Sequence, residues 1–167
     1  MITASVLLLL AMGQLSGDGR CPAELFRIER STNANVVAYE ANRTADGRLD
    51  PRDPVRVEWI LLADGGRREE LTFLERAFAY GFDVEDAAPA DGFWLTLKAE
   101  RSRRIRLRIR DGCPRAFTLI AGREALLELL FVDVDGGGLA ATVRGVDLRG
   151  TDAVTGAPLG ERVPAPR

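Results

Sequence analysis

The stretch FWLTLKAERSRRIRLRIR (Phe93–Arg110) reads as two β-strands folded back on each other, and it decides the fold class. Phe93–Glu100 and Arg104–Arg110 flank a three-residue loop at 101–103, a common hairpin length. That loop sets Ala99 opposite Ile105, Leu97 opposite Leu107 and Leu95 opposite Ile109, so every inward pair is apolar. The outer face then pairs Glu100 with Arg104, Lys98 with Arg106, Thr96 with Arg108 and Trp94 with Arg110. A one-residue slip would bury arginines, so the faces are strongly specified. Leu107→Asp is expected to cost more than ~2 kcal/mol, and Arg108→Asp little.

The same alternation recurs on both sides of the hairpin. Glu24–Arg30, Val36–Ala41 and Val55–Leu62 read as half-buried strands, the last with Val55, Val57, Trp59 and Leu61 on one face. Arg67–Leu71 is a short return strand. Ala116–Ile120, Ala125–Asp135, Leu139–Arg149 and an edge strand at Pro158–Val163 follow. The turns at 64–66, 87–92, 111–114 and 136–138 are rich in Gly, Asp and Pro. One stretch breaks the pattern. Around residues 72–80, Thr72 and Glu75 form a capping box, and Gly81 stands where a left-handed residue ends a helix. A helix this short needs apolar surface on two sides, offered here by Leu74 and Phe78 and by Phe73, Ala77 and Tyr80. The expected architecture is mainly β: an antiparallel barrel or strongly curved sheet of about eight strands with one short helix.

Bulk properties narrow the function classes. The 167 residues are 46% hydrophobic with a net charge of -2, enough for one domain with a full core. There is no histidine, which removes His-based triads, His general bases and most zinc sites. The near-neutral charge argues against nucleic acid as partner. Residues 1–17 carry an apolar run, Val6–Met12, followed by small residues, the pattern of an export signal; the alternative is a buried first strand or helix. It is too short to span a bilayer. The mature chain is expected to begin between Gly13 and Arg20 and to form a single β-rich domain over 24–163, outside the cytoplasm and most simply in a periplasm. Cys21 and Cys113 are both followed by proline and both precede a strand. In an oxidising compartment they are expected to form a disulfide; the alternative is two free thiols.

The runs LFRIERSTNANVVAYEAN, GRLDPRDPVRVEWI, REELTFLERAFAYGF and GTDAVTGAPLGERV, spread over Glu24–Val163, resemble the bacterial family of the domain of unknown function 4833. The resemblance implies a single β-rich domain of bacterial envelopes and brings no catalytic residue. Its recurrent polar and aromatic positions fall here on Arg27, Asn33, Asn35, Tyr39, Trp59, Glu75 and Tyr80, taken as the candidate ligand-binding set.

Each candidate has a plainer reading. Asn33 and Asn35 offer amide donors and acceptors, but asparagine also suits turns. Glu75, if buried among apolar groups, would have a raised pKa fit for a general acid; otherwise it is the capping-box residue. Arg104, Arg106, Arg108 and Arg110 form a cationic stripe suited to an anionic partner, or a solvated face. Residues 42–53 echo a calcium loop, but strand flanks, Pro51, Pro54 and Asp53 in place of Glu argue against it. No metal and no cofactor is expected. The expected function is a non-enzymatic binding module for an apolar small molecule or an envelope component. The alternatives are a hydrolase acting on an envelope glycan through Glu75, and a structural domain binding a partner through the Arg104–Arg110 face.

Overall fold

The computed structural model describes residues 21–88, 92–136 and 142–165. The segment 1–17 expected as an export signal and its expected cleavage region lie outside them, as do the glycines at 137–138. Among the described residues no helix is long and apolar enough to cross a membrane.

Among the described residues eleven strands, rather than about eight, form one curled sheet: β1 (Glu24–Arg30), β2 (Asn33–Ala41), β3 (Val55–Leu61), β4 (Arg67–Glu70), β5 (Phe82–Ala88), β6 (Gly92–Leu97), β7 (Glu100–Arg110), β8 (Cys113–Ile120), β9 (Arg123–Asp135), β10 (Thr142–Asp152) and β11 (Pro158–Pro164). β4, exposed throughout, falls where the short return strand is expected; the strand that alternation does not mark is the acidic β5.

The organising strand is β9. It pairs with β10 along nearly its whole length, and β10 carries β11. The other edge of β9 is divided. Residues Arg123–Leu126 pair with β8, which leads through β7 and β6 to β5. Residues Leu129–Val132 pair with β1, which leads through β2 and β3 to β4. The β1–β9 ladder is parallel, a departure from the all-antiparallel expectation. The hand-over falls at a bulge. The β10 register shifts between Arg149–Leu129 and Gly150–Leu127, leaving Glu128 as the extra residue. Burial in β9 follows the same break, with Ala125 and Leu127 buried before it and Leu130 and Val134 after it. A bulge adds twist and bends its strand. Here it divides one sheet into two wings curled around a shared core that includes Phe26, Tyr39, Leu95, Ile105, Leu107, Leu127 and Leu148.

The β6–β7 hairpin forms with its faces as expected but its register moved by four residues. Phe93 pairs with Leu107, Trp94 with Arg106, Leu95 with Ile105 and Thr96 with Arg104. Leu97 pairs with Glu100, not with Leu107. The turn is Lys98-Ala99, and residues 101–103 are extra length on β7. A shift of four is even, so the apolar side stays inside. Two contacts favour this register. Gly92, at φ 94°, lies so close to β7 that a Cβ would sit 1.9 Å from the Leu107 carbonyl oxygen. Arg103 is drawn away to Glu161 of β11, at 2.8 Å. Ile109, expected inward, is 43% exposed; it lies beyond the pair of Phe93 with Leu107 and faces Pro114 of β8.

The sheet ends are guarded against pairing with other chains: β4 is Arg-Arg-Glu-Glu, β5 carries Asp83, Glu85 and Asp86, and β11 is bounded by Pro158 and Pro164. The outer face of β2–β4 holds an ion-pair cluster. Glu40, 4% exposed, accepts from Arg56 (2.6 Å) and Arg68 (2.7 Å), and Arg68 also reaches Glu58 (3.0 Å). Burial pushes the Glu40 carboxyl up, but the bonds and charges of Arg68 and Arg56 outweigh it and hold the group below its ordinary value of 4.5. A depressed carboxyl stabilises the fold fully above the unfolded value and loses that contribution as pH falls through the folded one. Glu40→Gln should therefore cost roughly 1–2 kcal/mol at neutral pH. Urea melts at stepped pH should show the wild-type advantage shrinking below pH 4.5.

Cys21 and Cys113 form the disulfide, with Cα atoms 5.4 Å apart. It ties the chain preceding β1 to the start of β8, bridging 92 positions of sequence. Cys21→Ser/Cys113→Ser should lower stability by roughly 2–4 kcal/mol. Reduction of the wild type should produce the same shift in denaturation midpoint.

Candidate functional site

The residues of the candidate set are divided among three places. Asn33 and Asn35 serve the turn and its neighbour: Asn33 Oδ1 accepts from the Asn35 backbone N–H (2.9 Å), and Asn35 Oδ1 accepts from the Leu62 N–H (3.1 Å). Arg27 lies apart from them, paired with Glu24 at 2.8 Å.

The aromatic members do come together. Phe26 and Tyr39 stack with ring centroids 4.4 Å apart, and the Tyr39 hydroxyl donates to the Tyr80 carbonyl (2.7 Å). Burial, then the neighbouring Tyr80, raises the Tyr39 phenol well above its ordinary value. Trp59 meets Tyr80 edge-on at 5.2 Å and donates its indole N–H to Glu75 Oε1 (3.1 Å). Glu75 Oε2 accepts from the Thr72 backbone N–H and from its hydroxyl, both at 2.8 Å, which completes the capping box. Burial raises the Glu75 carboxyl, but these bonds from Thr72 and Trp59 outweigh it and hold the group low. That is the opposite of the raised value a general acid needs.

The segment these bonds anchor differs from the expected helix. It is one π-helical turn, Glu75–Ala79, crossing between β4 and β5, the far strands of the two wings. The sheet does not clamp it on two sides. Phe73, Leu74 and Phe78 are 82%, 65% and 73% exposed, and only Tyr80 is buried. Gly81 is not left-handed; glycine is needed because a Cβ would lie 1.7 Å from the Arg76 carbonyl oxygen.

Beside this turn, between the β6–β7 hairpin end, β1 and β9–β11, opens a cleft of about 420 Å³. Its floor is aliphatic: Ile28, Leu130, Val132, Val146, Leu148 and Val163. Phe78 and Tyr80 form one side, and Arg30, Glu100 and Arg103 bring charge to it. Arg103 is paired with Glu161, whose second oxygen accepts from the Ala121 N–H (2.7 Å); Glu100 is bonded by Ser102 of its own strand. Arg30 donates to the Tyr80 hydroxyl (3.3 Å). Of the candidate set only Tyr80 lines this cleft. These aliphatic residues all fall on segments read as strands, but nothing in their spacing says that they face open space.

The arginine stripe lies on the outer face as expected, yet it is not merely solvated. Arg104 and Arg106 sit over Trp94 at 4.7 and 5.0 Å from the ring centroid, and Arg108 and Arg110 over Phe117 at 4.2 and 5.9 Å. These guanidinium groups cover Phe117, which is 1% exposed although it points outward. Arg104 pairs with Glu85 (2.7 Å) and Arg108 with Glu124 (2.9 Å). A groove of about 620 Å³ runs between this face and Glu161. In the calcium-like loop, Asp46 is engaged by Thr44 and Arg48, Asp50 accepts from the Arg52 N–H, and Asp53 accepts from Asn42. Among the described residues no group of three metal-ligating side chains converges.

A disulfide-stapled, curled sheet with an open aliphatic cleft defines a small all-β domain. The chain belongs to the family of the domain of unknown function DUF4833, which it matches over residues 26–162. No curated protein and no solved structure matches it.

Proposed function

We propose that this domain is an exported, non-enzymatic binding module that takes an apolar small molecule, or the apolar part of an envelope component, into the cleft beside the π-helical turn. The observation that carries this reading is the cleft itself. Its volume of about 420 Å³ falls within the roughly 300–1,000 Å³ of small-molecule sites, and its lining is aliphatic with a few polar groups at its side. The disulfide fits export, since such bonds persist in oxidising compartments. Protein purified from its own source should carry a small apolar adduct in native mass spectra. Val146→Phe, which fills the cleft, should lose it while keeping its unfolding midpoint. A wild-type protein that carries no adduct and takes none up from a lipid extract would overturn the reading.

A second reading rests on the outer face, where guanidinium groups layered on Trp94 and Phe117 present a rigid cationic surface beside a groove. It suits an anionic partner chain. Arg104 and Arg108 already hold carboxylates there, which leaves less charge to attract one.

A further inference from the structure

We infer, on the reading that the cleft is the binding site, that its ligand is a single-chain amphiphile with an anionic head, the chain lying on the aliphatic floor and the head held by Arg30. The juxtaposition is specific to this side of the cleft. Arg30 is the last residue of β1, half-buried, and lines the same cavity as Ile28 two residues earlier. Strand alternation places both on the inner face. The other charged residues of the lining are satisfied within the protein: Arg103 by Glu161, and Glu100 by Ser102. Arg30, by contrast, bonds the neutral Tyr80 hydroxyl at 3.3 Å, and no carboxylate among the described residues pairs with it. A half-buried guanidinium at an apolar cavity is costly without an anion, and a ligand head bringing one would complete it. The Tyr80 hydroxyl is free to donate to the same head, having only accepted from Arg30.

The exposed side of the π-helical turn fits such a ligand. Phe78 lines the cleft while 73% of it is exposed, and Phe73 and Leu74, earlier in the same segment, are exposed too. An acyl chain too long for the floor would cover these side chains as it leaves.

Calorimetric titration with dodecanoate, dodecyl phosphate and dodecan-1-ol, below their aggregation concentrations, tests the inference. Chain length is held constant, so differences report on the head. The two anions should bind at least about 10-fold more tightly than the alcohol, as expected for hydrogen bonds to a charged group. The tighter of the two tells a carboxylate head from a phosphate head. Arg30→Gln keeps a donor for the Tyr80 hydroxyl; it should bring both anions down to about the affinity of the alcohol. Val146→Phe should weaken all three together. If the wild type binds the alcohol as tightly as the anions, or if Arg30→Gln keeps the preference, the anionic head is wrong while the cleft stands. If none of the three binds the wild type, the cleft reading itself falls, and this inference with it.

Discussion

Leu107→Asp should cost about 4 kcal/mol or more, enough to leave a domain of ordinary stability largely unfolded under mild denaturant. Leu107 has no exposed surface and sits in the core between Phe93 of β6 and Ala116 of β8. The substitution removes a buried aliphatic chain and puts a carboxylate where the neighbouring core side chains are apolar. Arg108→Asp, one residue on, should cost about 1–2 kcal/mol, more than a solvated position would. It uncovers Phe117, which Arg108 overlies at 4.2 Å, and it sets a carboxylate beside Glu124. Urea denaturation of both variants provides the check. Equal shifts in midpoint would mean that the two faces of β7 are not distinct.

Gly150→Val should be destabilising by about 3 kcal/mol or more, although valine is a better strand residue than glycine. Gly150 faces the β9 bulge, and a Cβ there would lie 2.1 Å from the Leu126 carbonyl oxygen and 3.2 Å from Ile120 Cδ1. The obstacle is backbone, so no rotamer relieves it. Room can be made only by moving β10 off β9 at the point where β9 passes from β8 to β1. Gly160→Val is the matched control. Its Cβ would meet only the Leu148 carbonyl oxygen, at an ordinary 3.8 Å, so its effect should be near zero or slightly stabilising. If the two variants melt alike, the bulge does not require glycine.

Three of the runs that carry the family resemblance correspond to particular devices of this fold. ERSTNANVVAYEAN is the β1–β2 hairpin, whose Ser31 hydroxyl donates to the Val134 carbonyl (3.1 Å) and accepts from the Val134 N–H (2.9 Å). ERAFAYG is the π-helical turn with Gly81 under the Arg76 carbonyl. In GTDAVTG, Asp152 Oδ1 accepts from the N–H groups of Val154 and Thr155 and so closes the β10–β11 turn. Those residue types are explained by architecture. The cleft residues Val132 and Val146 lie outside these runs, and Arg30, within the first of them, lines the cleft.

What the sequence determined alone is local and two-sided. Alternation set which face of the β6–β7 hairpin is buried, because a period of two is insensitive to an even shift of register; the hairpin kept its faces while its pairs moved by four residues. The capping box at Thr72 and Glu75 was legible because its partners are three residues apart. The pairing of Cys21 with Cys113 was legible because only two cysteines exist. The tertiary structure decided whatever depends on distant segments. A parallel β1–β9 ladder and a strand with a divided edge have no signature in either strand's own pattern. The exposure of Phe73, Leu74 and Phe78 follows from the turn spanning the gap between two wings, not from its own sequence. The cleft exists because the wings curl without meeting: an inward aliphatic residue looks the same in sequence whether its neighbour is another side chain or open space.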